Sequence, residues 1–100
     1  MEPDRKIDLF GFLFETISVV DRALQDSKEA IIAIDSMDKY VIATKKLLYA
    51  TGIIDTIREL INYMKDEPSK KIMSTIEHEW DSKLQYLEKF IEEQKPKEEK

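Results

Sequence analysis

Between Asp4 and Gln25 the chain reads DRKIDLFGFLFETISVVDRALQ, and no other stretch so narrows the folds open to it. At about 100° per residue, Asp8, Gly11, Glu15, Ser18, Arg22 and Gln25 fall on one narrow polar stripe of a helix. Leu9, Phe10, Phe12, Leu13, Phe14, Ile17, Val19, Val20, Ala23 and Leu24 spread over about 220° of the circumference. An ordinary surface helix needs an apolar arc of only about 100°. A helix this apolar needs neighbours on at least two sides, so the rest of the chain is expected to pack around it.

The boundaries of those neighbours follow from capping chemistry. Pro3 or Asp4 is placed to open the first helix, with acidic residues favoured at that end by the helix dipole. Gly11 either marks a close helix crossing or sits idle on the polar stripe. Asp26 stands three residues before Glu29, the spacing of a capping box, so a short turn and a second, antiparallel helix are expected near Ser27. Its core positions are Ala30, Ile34, Met37, Val41, Thr44, Leu48 and Thr51, at alternating steps of four and three, and Gly52 is expected to end it. Asp35 or Ser36 offers an alternative cap that would split this helix, although continuity is the favoured reading. A short third helix follows from about Ile53 to Lys65, with continuation through Gly52 in a bent helix as the variant.

Asp66 to Ser69, AspGluProSer, is the clearest boundary, because Pro68 disfavours helix in the residue before it and suits a first helical turn itself. The last helix then runs to about Gln94. Ile72, Met73, Ile76, Trp80, Leu84, Leu87, Phe90 and Ile91 share one face, and Lys71, Ser74, His78, Asp81, Gln85, Lys89 and Glu92 share the other. Glu67 with Lys71 and Glu79 with Lys83 have the favourable order for ion pairs four residues apart. The expected fold is all-α: a small antiparallel bundle of four helices, or of three long helices with one bent. Residues 1–94 form one domain, and 95–100 a disordered charged tail.

With 100 residues the chain supports one domain. The absence of cysteine removes disulfides, thiolate metal sites and cysteine nucleophiles, and sets a cytoplasmic location as the default expectation. The apolar run Leu9 to Phe14 is preceded by Asp4 and Asp8 and soon interrupted by Glu15, Asp21 and Arg22, so neither a secretory signal nor a membrane span is expected. Thirteen Lys against three Arg, thirteen Ile against three Val, and a single Asn match the usage of thermophilic intracellular proteins, a pattern that coding-base bias also produces in part.

No constellation for catalysis, cofactor binding or metal ligation emerges, so an enzyme is not expected. His78, the one histidine, lies in GluHisGluTrp, but position 82 is Ser where a zinc-protease helix needs a second His. The helix-spaced acid pairs Glu77/Asp81 and Asp55/Glu59 read as solvated surface rather than cation sites. With a net charge of −5, nucleic acid is unlikely as the main partner, although Lys39, Lys45 and Lys46 with Tyr40 and Tyr49 have the composition of a weak single-strand contact. In a continuous second helix, Ile31, Ile42 and Tyr49 form a second, broken apolar stripe rimmed by charges. Such a stripe suits a docking partner helix. These three, with Phe10 and Phe14 of the first helix, are the candidate partner-binding residues. The expected function is a non-enzymatic protein-interaction module or small accessory subunit whose partner is another protein or a second copy. The alternative is an accessory protein of a nucleic-acid-processing complex.

Overall fold

A computed structural model describes residues 8–97, and all regular structure among them is helical. Four helical segments follow in order: α1 (Leu9–Glu15), α2 (Ile17–Ile32), α3 (Met37–Ile61) and α4 (Glu67–Glu93). The first two are one rod bent at Thr16, so the described chain consists of three long helices rather than a four-helix bundle. At the bend the Thr16 hydroxyl and amide both donate to the Leu13 carbonyl, while the Val20 amide resumes the helix by donating to the Thr16 carbonyl. A threonine that bonds back into the preceding turn bends a helix in this way. The expected start at Pro3 or Asp4 lies outside the described residues. Within them Asp8 caps α1, its Oδ1 accepting from the Gly11 amide at 3.0 Å. Gly11 belongs to this cap: a Cβ there would come within 2.6 Å of the Asp8 carboxylate.

The break expected at Asp26 and Ser27 is absent. Ser27 is fully buried and its hydroxyl donates to the Ala23 carbonyl at 2.9 Å, so its polar atom is satisfied inside α2 and the helix continues. The reversal comes instead at residues 33–36, where helix continuity was the favoured expectation. Ser36 is extended and its hydroxyl accepts from the Lys39 amide at 3.3 Å, capping α3. Gly52 does not end a helix either: α3 passes straight through it for 25 residues, and no glycine has a positive φ. The boundary before Pro68 falls where its chemistry placed it. The Asp66 carboxylate accepts from the Ser69 amide at 3.1 Å, with Pro68 in the first turn of α4.

The short connections fold α3 back on α2 and α4 back on α3, leaving α3 in the middle with α1 leaning on α4 and α2. The face that α3 buries is Ala43, Leu47, Ala50, Ile54, Ile57 and Ile61. This is the expected four-three rhythm displaced by one residue, a rotation of about 100°. Met37, Val41 and Leu48, assigned to the core by their size, stand on the outside. Two fully buried alanines let a central helix approach both neighbours closely, which larger residues on that seam would prevent. α4 buries Met73, Trp80, Leu84, Leu87 and Ile91 as its spacing foretells, although Ile72 is exposed. The Trp80 indole N–H donates to Asp21 Oδ1 at 3.1 Å, tying α4 to α2.

Candidate docking face

Because α2 and α4 both pack on one side of α3, its opposite side meets solvent along its whole length. That side carries Met37, Val41, Ile42, Leu48 and Tyr49, all exposed, with Leu48 at 64% and Tyr49 at 63%. Single exposed apolar residues are ordinary, but these five share one side of one helix, in a stripe interrupted by Lys45. The patch extends over the rim of α2, where Val19, Ala23, Arg22 and Asp26 line the same surface hollow as Tyr49.

The candidate partner residues are dispersed. Ile42 and Tyr49 lie on the outward side of α3. Ile31 is fully buried on α2, because the turn at residues 33–36 places it on a different helix from Ile42 and turns it into the core, so it cannot belong to a docking stripe. Phe14 is exposed on α1 and packs against the half-buried Phe10, their ring centroids 5.7 Å apart. Val41 and Leu48 complete the face and were missed because their bulk suggests core. The alanines at 43 and 50 are the signal that would have found them, since that face alone lets α3 pack closely on both α2 and α4.

The lysines do not form a concentrated cationic surface. Lys39 pairs with Asp35 at 3.4 Å, and Lys45 and Lys46 share a hollow with Asp26, Ala23 and Tyr49. Members of both acid pairs meet one cation: Asp55, Glu77 and Asp81 converge on Arg58, at 3.1, 2.7 and 3.1 Å. The guanidinium is held above its ordinary pKa, first by the hydrogen bond to Glu77, with the surrounding carboxylate charges outweighing partial burial. This cluster is an internal clasp between α3 and α4. Among the described residues, neither Glu67 with Lys71 nor Glu79 with Lys83 forms an ion pair, and no group of three or more His, Asp or Glu side chains is disposed to hold a metal ion. His78 is exposed on the outer side of α4.

Lys95, in the segment expected to be a free tail, places its ammonium 5.8 Å from the centre of the Tyr40 ring; residues 98–100 of that tail lie outside the described residues. No helix among the described residues is long and apolar enough to cross a membrane. The described residues form a three-helix all-α fold that leaves apolar side chains uncovered on the outward side of α3 and, at Phe12 and Phe14, on α1. Comparison of the chain with protein-family models, curated proteins and solved structures finds no match.

Proposed function

We propose that this protein is a non-enzymatic interaction module or small accessory subunit that docks a protein partner through the outward side of α3. The observation that carries this reading is the exposure of Val41, Ile42, Leu48 and Tyr49 on the helix that is otherwise the centre of the fold. Burying a half-exposed aliphatic or aromatic side chain in an interface is worth about 1 kcal/mol each. An affinity capture from the native host, run side by side with wild type and Leu48→Glu, tests it. A defined protein, or the protein's own second copy, should be retained by wild type and lost with the variant. A wild type that is strictly monomeric and retains nothing would remove the reading.

A second reading, an accessory of a nucleic-acid-processing complex, is favoured by one detail: Lys45, Lys46 and Tyr49 line one hollow. It requires a gel shift that weakens steeply with salt and is abolished by Lys45→Ala with Lys46→Ala. Asp26 in the same hollow and the net charge of −5 count against it.

A further inference from the structure

From the outward face of α3 we infer that the partner is a second copy of this chain, packed antiparallel along α3 across a two-fold axis at Gly52; this rests on the reading of that face as a docking surface.

Val41, Lys45, Leu48, Gly52, Asp55 and Glu59 follow one another at steps of four, three, four, three and four. This is the spacing of a knobs-into-holes seam, the same rhythm α3 uses for its buried side, and all six are exposed. Gly52 sits at the middle of the seam. Nothing within the protomer requires it: its φ is not positive, and a Cβ built there meets no atom within 4 Å. Alanine would fit and would favour the helix, so the missing side chain is explained by something that approaches from outside. A second helix crossing at that point gains close backbone contact from it.

The charges select the occupant and its direction. Lys45 precedes Gly52 by seven residues and Glu59 follows it by seven, each about 10.5 Å along the helix. Neither forms an ion pair within the protomer among the described residues. An antiparallel two-fold through Gly52 brings Lys45 of each copy level with Glu59 of the other, making two equivalent ion pairs. A parallel pairing would instead set Lys45 against Lys45 and Glu59 against Glu59. In the antiparallel register Leu48 enters the hollow framed by Gly52, Asp55, Thr56 and Glu59 of the second copy. Val41 there comes level with Tyr63, just past the end of α3 and, among the described residues, the most exposed large apolar side chain, at 74%. The contact is isologous, so it closes at a dimer and leaves no further sticky surface from this seam.

Light scattering over a concentration series, with charge-reversal variants, tests the inference. Wild type should dimerise, and Lys45→Glu or Glu59→Lys alone should weaken the dimer about tenfold or more. The double variant should recover most of that loss. Because the chain has no cysteine, Gly52→Cys should give a disulfide-linked dimer on mild oxidation, and His78→Cys on the outer side of α4 should not. A dimer indifferent to both charge reversals, or one that fails to cross-link at position 52, would overturn the inference. So would a monomer at every concentration. If that monomer still captures a host protein in a Leu48-dependent manner, the docking reading survives alone; if it captures nothing, both fall.

Discussion

Leu47 and Leu48 are neighbours in sequence and opposites in environment, 6% and 64% exposed, and replacing each with alanine separates the two sides of α3 energetically. Leu47 faces the core beside Ala43, Ala50 and Ile54, where truncating leucine leaves a cavity that surrounding helices fill only in part. Such a change costs about 2–5 kcal/mol, and a site on the buried face of α3, packed against both α2 and α4, belongs near ~3 kcal/mol. Leu48 keeps roughly a third of its side chain out of water. Full burial of leucine contributes ~2 kcal/mol, so about 0.7 kcal/mol is at stake, reduced further by the better helix propensity of alanine. Urea denaturation followed by circular dichroism, at protein concentrations low enough to keep the protomer apart, reads the difference directly. With a slope of about 1–3 kcal/mol per molar urea, Leu47→Ala should lower the midpoint by roughly 1–3 M while Leu48→Ala leaves it nearly unchanged. Equal losses for the two variants, or a larger loss for Leu48→Ala, would refute the orientation of α3 and everything built on its outward side.

Gly52→Ala should stabilise the dilute protomer by about 0.5–1 kcal/mol, visible as a higher melting temperature; a loss would mean that the glycine serves the protomer after all. Trp80→Phe removes the bond to Asp21 and part of the largest buried side chain, and should cost about 2 kcal/mol in the same melts, with more than half of that retained in an Asp21→Ala background. Arg58→Ala should cost about 1 kcal/mol and less at high salt, since the clasp is partly exposed. Its guanidinium pKa is raised, so the contribution is fully present below the ordinary arginine value and is lost only as pH rises beyond it. The loss on Arg58→Ala should therefore be the same at pH 7 as at pH ~9.

Some of this architecture is readable from local chemistry alone. Asp66 and Pro68 specify the start of α4 because both act through backbone groups within one turn, and the polar side of α4 leaves its apolar side only one way to turn. The first reversal was not readable in the same way. Asp26 and Glu29 have capping-box spacing, yet burial of Ser27 with its hydroxyl on the Ala23 carbonyl makes helix the better state there. Ser36 competed for the same reversal with a weaker signature. On α3 both candidate faces have seam spacing, and bulk favours the wrong one. What decides between them is how closely two other helices must approach, a tertiary demand that alanine meets and that no propensity encodes. The same uncertainty hid the docking candidates: Ile31 and Ile42 look alike until the turn at residues 33–36 puts them on different helices.

The kink at Thr16 divides the first rod unequally. α2 is clamped between two long helices, whereas α1 is seven residues whose one buried side chain is Leu13. Two pieces so differently anchored do not share one opening free energy. The short arm is therefore expected to open more readily than α2, so that in hydrogen exchange the amides of Leu9–Glu15 lose protection before those of Ile17–Ile32.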